Sequence, residues 1–146
     1  MTNLAHVVFY VRDLAASVAF YREIVGLSLA GEIFNGRAAM LTGGGTHHEL
    51  LLIEVGDAPG PPHGRRVGLY HVGWKIGDDL ATLRLMRDRL KAANYPIEGM
   101  SDHTVSQSIY LLDPDGNEIE LFVDDSHVDW KNNHDWMEQP VKPLKL

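Results

Sequence analysis

Residues 4–11 read Leu4-Ala5-His6-Val7-Val8-Phe9-Tyr10-Val11, and residues 69–76 read Leu69-Tyr70-His71-Val72-Gly73-Trp74-Lys75-Ile76. Both runs are short, apolar and rich in β-branched or aromatic side chains, a composition that is typical of buried strands. A helical pattern and several strand-like segments follow each run. The sequence therefore predicts one structural module used twice, with a histidine at the same place in each copy.

The first module is predicted to span about residues 3–56. After its first strand, Asp13 is suited to begin a helix because its carboxylate can accept hydrogen bonds from the free N–H groups of the first turn. Apolar side chains recur at helical spacing as far as Gly26, where we expect the helix to end. Three short strands are then predicted, at residues 27–33, 37–42 and 48–55.

A second module is predicted at about residues 67–125, after a linker at residues 57–66 that is rich in proline and glycine. Its predicted elements are a strand at 69–76, a helix at about 79–94, and strands near 97–100, 106–113 and 118–123. Both modules therefore read βαβββ. We expect a single α+β domain at residues 1–125, in which two curved mixed sheets form a cleft.

Residues 126–146 form a less regular tail that contains Trp130, Trp136 and two prolines. Tryptophan side chains are large and apolar, so leaving them in water is unfavourable. We therefore expect the tail to pack on the domain, on a partner subunit or over the cleft.

The composition excludes several classes of function. The net charge is −7, whereas a nucleic-acid partner requires a basic surface. The sequence has no cysteine, which removes disulfides, thiolate metal sites and cysteine nucleophiles. No apolar run approaches the roughly 20 residues that cross a membrane, and no secretory signal is recognised. We therefore expect a cytoplasmic protein with no nucleic-acid or membrane partner.

His6, His71 and Glu120 form a candidate metal triad, because matching positions in two paired modules can meet at one cation. Glu120 lies between Ile119 and Leu121 in the last predicted strand. Two imidazoles and one carboxylate with open positions are the ligand set of non-haem Fe(II) oxygenases, and they also suit Mn(II), Zn(II) or Ni(II). The alternative interpretation is two hydrogen-bonded core histidines and a glutamate that faces water.

Two stretches resemble the vicinal oxygen chelate superfamily, which includes glyoxalase I, extradiol ring-cleaving dioxygenases, fosfomycin-resistance enzymes and bleomycin-binding proteins. Residues 7–26, with Val11-Arg12-Asp13-Leu14 and Phe20-Tyr21-Arg22, resemble the opening of its module. Asp113-Pro114-Asp115-Gly116-Asn117-Glu118-Ile119-Glu120-Leu121 resembles its final hairpin. The resemblance covers about residues 3–124 and implies the βαβββ fold and the metal positions, but a fold does not name a reaction.

Further residues resemble the extradiol branch of that superfamily. From His103 through Tyr110 to Asp113-Pro114-Asp115-Gly116 and Glu120, the order of residues is similar to the extradiol pattern, although Ser101 departs from it. His47-His48-Glu49-Leu50 is similar to the extradiol His-His-x-Leu. The resemblance thus implies three catalytic residues, His48, His103 and Tyr110.

The extradiol resemblance implies a homodimer that holds Fe(II) and cleaves a small aromatic diol with O2. A histidine can take and return the protons of such a reaction, which suits His48. Tyr110 can donate a hydrogen bond to a substrate oxygen, and His103 can bind the substrate oxygens or line the pocket. No binding residue for an organic cofactor is predicted.

Two other functions stay open on the sequence. In glyoxalase I a glutamate of the first module is a further metal ligand, and Glu54 lies near that place, so Glu54 at the metal would favour a glyoxalase-type isomerase or lyase. His48 at the metal would favour the dioxygenase. A drug-binding protein of the same fold would hold no metal, which the candidate triad argues against.

Overall fold

The computed structural model describes residues 2–146 and contains both βαβββ modules in the expected order. The first module consists of β1 (Val7–Val11), α1 (Leu14–Phe20), a π-helical turn (Tyr21–Val25), β2 (Ser28–Ile33), β3 (Ala38–Thr42) and β4 (Leu50–Glu54). The second consists of β5 (His71–Gly77), α2 (Leu80–Ala92), β6 (Gly99–Asp102), β7 (Ser106–Leu112) and β8 (Glu118–Asp124). A 3-10 helix (Asp135–Glu138) and a strand β9 (Lys142–Pro143) follow.

The two sheets have the same topology. Their strand orders are β1-β4-β3-β2 and β5-β8-β7-β6-β9. In each module the first strand runs parallel to the last strand, and the remaining pairs are antiparallel. The predicted α+β class with two mixed sheets is confirmed.

The chain divides into two compact units. Unit 1 contains the chain up to Gly64 and the turn Asp113–Gly116, and unit 2 contains Arg65–Leu112 and Asn117–Leu146. The core of unit 1 includes the buried side chains Phe9, Val11, Leu14, Phe20, Leu41, Leu50 and Leu52. In unit 2 the buried side chains are Leu83, Leu90, Ile109, Leu111, Ile119, Leu121 and Val123. Alternate residues of β7 and β8 thus bury one face of the second sheet, and their neighbours lie on the other face.

The helical segment formed by α1 and the π-helical turn begins and ends where the sequence predicted. The carboxylate of Asp13 accepts a hydrogen bond from the N–H of Ala16. At the other end Gly26 has a φ of 97°, a left-handed conformation that glycine adopts without a steric penalty. The helix of the second module also has an aspartate cap, because Asp79 accepts from the N–H of Thr82.

Strands β1 and β4 are among those that begin later than expected, and both of these corrections concern histidines. β1 begins at Val7, so His6 precedes the strand. β4 begins at Leu50, so His48 lies in the bend before the strand and not within it. The reason for the late start of β4 is that the carboxylate of Glu49 accepts hydrogen bonds from backbone N–H groups of the preceding loop. These bonds fold the loop back instead of extending it.

The tail pairs with the sheet of unit 2. β9 is antiparallel to β6, with Ser101 opposite Pro143 and Asp102 opposite Lys142. The N–H of Leu144 also donates to the carbonyl of Met100 at 3.2 Å. β6 itself lies two residues later than the sequence pattern suggested, at Gly99–Asp102. No helix within residues 2–146 combines the length and apolar content that crossing a membrane requires.

Candidate metal centre

Glu120 is held at one carboxylate oxygen by two hydroxyl groups. Its Oε1 accepts hydrogen bonds from Ser108 Oγ at 2.6 Å and from the Tyr110 hydroxyl at 2.9 Å. All three residues lie on the same face of the sheet, because Tyr110 is opposite Glu120 in the antiparallel pair β7–β8 and Ser108 is two residues before Tyr110. The second oxygen, Oε2, is thereby directed away from these donors.

His71 lies between two carboxylates. Its Nε2 is 3.3 Å from Glu120 Oε2, and its Nδ1 is 3.3 Å from Glu118 Oε1. The parallel pairing of β5 with β8 produces this arrangement, since it places His71 opposite Glu118. The buried Nδ1 has no partner with hydrogen-bonding geometry among residues 2–146.

The pair formed by His71 and Glu120 fits a divalent cation. Nitrogen and oxygen ligands that each lie about 2.1 Å from a metal, at a right angle, are about 3 Å apart. The observed separation of 3.3 Å between His71 Nε2 and Glu120 Oε2 is close to that value. An imidazole nitrogen and a carboxylate oxygen are also a donor pair that Fe(II), Mn(II), Zn(II) and Ni(II) accept.

His103 and Tyr110 extend the network around Glu120. His103 Nε2 is 2.7 Å from the Tyr110 hydroxyl. A phenol has one proton to donate, and Tyr110 donates it to Glu120. In the hydrogen bond between His103 and Tyr110, His103 Nε2 is therefore the donor and the phenol oxygen the acceptor. Burial raises the pKa of Tyr110, and the hydrogen bond to Glu120 raises it further, so the phenol stays protonated. It can therefore act as a donor at any physiological pH.

In unit 1, His6 and His48 lie side by side. Their ring centroids are 4.7 Å apart, and the ring of His47 lies 4.4 Å from that of His48. Partial burial lowers the pKa of His48, and the neighbouring imidazoles of His47 and His6 lower it further. The neutral form, which can accept a proton, is therefore favoured at this position.

Glu49 holds the loop that carries these histidines. Its carboxylate accepts hydrogen bonds from the N–H groups of Gly43, Gly45 and Thr46 at 2.8, 2.8 and 3.0 Å. Its backbone carbonyl accepts from the N–H of Val7, the residue after His6. Burial works in the opposite direction, but the hydrogen bonds from Gly43 and its neighbours lower the pKa of Glu49 overall. One residue thus joins the loop before β4 to the start of β1.

Glu54, the alternative ligand of the first module, is engaged elsewhere. Its Oε2 accepts a hydrogen bond from the N–H of Leu14, at the first turn of α1, at 2.8 Å. A carboxylate is favourable there because the N-terminus of a helix carries unpaired N–H groups and a partial positive charge. Glu54 therefore belongs to the end of the helix, whereas His48 lies beside His6.

The predicted residues fall into two groups. His71, Glu120, Tyr110 and His103 are in contact with one another in unit 2. His6 and His48 are in contact in unit 1. Residues 2–146 contain no group of three or more histidine, aspartate or glutamate side chains that could hold a metal ion. The pair of His71 and Glu120 is thus observed, and His6 as their third ligand stays a prediction.

Three residues that contact the pair were missed by the sequence analysis. They are Ser108, which donates to Glu120, Glu118, which faces His71, and Gly73, where a Cβ atom would lie 3.1 Å from Glu120 Oε2. Strand alternation from Tyr110 and Glu120 places Ser108 and Glu118 on the metal-facing side of the sheet. No such local signal exists for Gly73, because its position opposite Glu120 depends on the pairing of β5 with β8.

Comparison with known proteins decides the family. Residues 3–121 match the Glyoxalase/Bleomycin resistance protein/Dioxygenase superfamily. The chain belongs to this superfamily. The resemblance to the vicinal oxygen chelate proteins, the other name of the group, is therefore confirmed.

Relatives within the glyoxalase/dioxygenase superfamily have different activities. The chain is 30% identical to the catechol-2,3-dioxygenase of Bacillus subtilis (strain 168) over 138 residues, which are 92% of this chain and 46% of the relative. It is 30% identical to biphenyl-2,3-diol 1,2-dioxygenase 3 of Rhodococcus globerulus over 132 residues, 84% of this chain and 63% of the relative. The chain thus spans about half the length of the first of these dioxygenases and less than two thirds of the second.

A solved member of the glyoxalase/dioxygenase superfamily is a lyase. The crystal structure of lactoylglutathione lyase from Agrobacterium tumefaciens superposes with a TM-score of 0.63 at 28% identity, covering 84% of this chain and 94% of that chain. The superfamily is metal-dependent, which agrees with the donor pair in unit 2. Its members do not share one reaction, so the choice of reaction depends on the site.

Proposed function

We propose that the chain is a metal-dependent dioxygenase of the extradiol type, which uses O2 to cleave a catechol-like aromatic diol. One observation supports this choice over the isomerase. His48 packs against His6 at 4.7 Å between ring centroids, whereas Glu54 is hydrogen-bonded to the N–H of Leu14. An isomerase of the glyoxalase type would need a carboxylate of the first module at the metal, and Glu54, the candidate for that role, is bound to the helix end instead.

The proposed metal ligands are His6, His71 and Glu120, with Fe(II) as the expected metal and Mn(II), Zn(II) or Ni(II) as alternatives. When bound, the cation would hold both diol oxygens and O2 next to one another and stabilise the charge that develops. The separation of 3.3 Å between His71 Nε2 and Glu120 Oε2 supports this role for two of the three ligands.

The remaining polar residues are proposed to handle protons and to orient the diol. His48 accepts a proton from the diol and later returns it. Tyr110 donates a hydrogen bond to a substrate oxygen, and His103, whose Nε2 is 2.7 Å from the Tyr110 hydroxyl, keeps that hydroxyl in place. A network of this kind orients the donors before the substrate arrives.

The two diol dioxygenases at 30% identity support an aromatic diol and O2 as substrates. A homodimer is proposed as well. The face of β1 beside His6 exposes Val8 at 46% and Tyr10 at 71%, and apolar side chains of an edge strand are commonly covered by a partner. The cytoplasmic location stays a prediction from the cysteine-free sequence.

Anaerobic loading with Fe(II), followed by O2 and a panel of catechols, tests the proposal. We expect O2 uptake and a yellow ring-fission product from the wild type. His6→Ala, His71→Ala and Glu120→Gln should abolish both signals, and His48→Gln should reduce turnover by about 100-fold or more, within the range for a lost general base. His63→Ala, an exposed linker histidine, is the matched control and should react like the wild type.

A glyoxalase-type isomerase is the second candidate, and the lactoylglutathione lyase at 28% identity supports it. The same samples, loaded with Ni(II) or Zn(II), should be given a hemithioacetal. Turnover of that substrate and of no catechol, with loss in Glu54→Gln, would replace the dioxygenase by the isomerase. A folded protein that binds neither metal nor either substrate would leave the third alternative, a binding protein that works without metal.

A further inference from the structure

We propose that Ser108 and Gly73 are positioning residues for Glu120, and that together they determine which carboxylate oxygen is presented to the cation. The inference rests on the proposed metal role of Glu120. It assigns a function to two residues that contact neither substrate nor metal themselves. Two independent contacts support it, one at each oxygen of the Glu120 carboxylate.

Ser108 acts on Oε1. Its side chain is fully buried, and its hydroxyl donates to Glu120 Oε1 at 2.6 Å. A buried hydroxyl needs a partner, and a carboxylate that accepts a short hydrogen bond is held in one orientation. The Tyr110 hydroxyl donates to the same oxygen at 2.9 Å. With Oε1 engaged twice, Oε2 is the oxygen that faces His71 Nε2 at 3.3 Å.

Ser108 and Tyr110 are not equivalent donors. The Tyr110 hydroxyl is shared with His103 Nε2 and is also proposed to donate to the substrate. When a diol draws that hydrogen bond away, Ser108 is the donor that stays with Oε1. The serine would then keep the carboxylate of Glu120 from rotating while Tyr110 binds the substrate.

Gly73 acts on Oε2. It is opposite Glu120 in the parallel pair β5–β8. A Cβ atom at this position would lie 3.1 Å from Glu120 Oε2 and 3.4 Å from Phe122 Cε1, so any other residue would push against the carboxylate. Gly73 is not among the residues with positive φ, and glycine weakens a strand. A side chain at this position would therefore displace Glu120 Oε2, the oxygen that faces His71, by a few tenths of an ångström.

The test measures metal binding, not turnover. Co(II) is added to the folded wild type and variants, its affinity is measured by competition with a chelator, and the visible absorption of the bound Co(II) reports the ligand geometry. Ser108→Ala and Gly73→Ala should each weaken Co(II) binding by about 10- to 100-fold, the usual effect of losing an outer hydrogen-bond partner, and should change the spectrum. Ser108→Thr keeps a hydroxyl and should recover most of the affinity.

Two control variants match the substitutions. Ser106 lies two residues earlier on the same face of β7, and the side-chain hydrogen bonds to Glu120 come from Ser108 and Tyr110, so Ser106→Ala is the control for Ser108→Ala. Gly99→Ala lies in β6, where a Cβ atom would have nothing within 4 Å. Both should bind Co(II) like the wild type with an unchanged spectrum.

The outcomes separate this inference from the proposed function. If the wild type binds Co(II), Glu120→Gln abolishes binding, and Ser108→Ala and Gly73→Ala behave like the wild type, the inference is wrong and the metal role stands. If neither the wild type nor any variant binds Co(II), the proposed metal role fails and the inference fails with it. Should Ser108→Ala not fold, Gly73→Ala, at an exposed position, still tests the inference through its affinity for Co(II) and the spectrum of the bound Co(II).

Discussion

The side chain of Glu54 ends on the backbone of Leu14: its Oε2 lies 2.8 Å from the amide nitrogen that begins helix α1. Through this contact the Glu54 carboxylate stabilises the first turn of α1. It also separates Glu54 from His48, which the sequence placed in the same strand and on the same face. A change at Glu54 should therefore affect the helix and not the metal.

Replacing Glu54 by alanine should lower the free energy of unfolding by about 0.5–2 kcal/mol, the range for losing a helix cap. Urea unfolding measures this loss, and Co(II) titration should give wild-type affinity. Glu32→Ala, which removes an exposed carboxylate from β2, is the control and should leave stability nearly unchanged. Loss of Co(II) binding with wild-type stability would instead identify Glu54 as a ligand.

Tyr21 and Tyr95 allow a comparison of how much unfolding free energy is lost when a tyrosine hydroxyl is removed. The Tyr21 hydroxyl donates to the buried carboxylate of Asp113 at 2.8 Å, and the Tyr95 hydroxyl donates to the carbonyl of Leu112 at 2.7 Å. Hydrogen bonds to charged groups are the stronger class. Tyr21→Phe should cost about 1.5–3 kcal/mol of unfolding free energy and Tyr95→Phe about 0.5–1.5 kcal/mol, both from urea unfolding. Equal losses would contradict a charged Asp113.

Glu49 should contribute a pH-dependent part of the stability. Burial opposes ionisation, but hydrogen bonds from Gly43, Gly45 and Thr46 hold its pKa below the ordinary value of 4.5. The unfolded chain therefore binds the proton more readily than the folded chain, so the stabilisation is present above pH 4.5 and is lost as the pH falls from there through the lowered pKa.

The measurement for Glu49 is the difference in unfolding free energy between the wild type and Glu49→Gln. We expect it to be constant around neutral pH and to shrink as the pH falls below 4.5. A direct NMR titration of the Glu49 carboxyl should show the same lowered midpoint. A difference that stays the same between neutral pH and acid would contradict the assigned hydrogen bonds.

Removal of residues 140–146 should loosen the end of β6. Without β9, Ser101 and Asp102 become an open edge beside His103, and the bond from Leu144 N–H to Met100 is lost. We expect a loss of about 1 kcal/mol of unfolding free energy, in line with one or two peptide hydrogen bonds. Hydrogen exchange should accelerate in β6 and stay unchanged in α2. Unchanged exchange in β6 would show that β9 contributes nothing there.

Much of the fold could be predicted because its signals are local. Helix α2 was expected at about 79–94 and is observed at Leu80–Ala92, since apolar spacing and a capping aspartate lie within a few neighbouring residues. The last hairpin was expected at 106–113 and 118–123 and is observed at Ser106–Leu112 and Glu118–Asp124. Alternating burial and a Pro-Asp-Gly turn are sufficient for such a prediction.

The site was harder to predict because its contacts join distant parts of the chain. Residue types and a family resemblance identified His71, Glu120, Tyr110 and His103, which do meet in unit 2. The position of His48 before its strand depends on hydrogen bonds that the Glu49 carboxylate accepts from N–H groups of the preceding loop. No periodicity in the sequence contains that information.

Local patterns in the amino-acid sequence specify the repeated βαβββ order, the helix caps and the chemical types of the candidate ligands, because each depends on neighbours along the chain. The pairing of strands specifies the rest. It places Gly73 opposite Glu120 and directs Glu120 Oε2 towards His71. It also places the carboxylate of Glu54 at the N-terminus of α1. Such contacts follow from which strands lie side by side, and strand order is a property of the folded sheet.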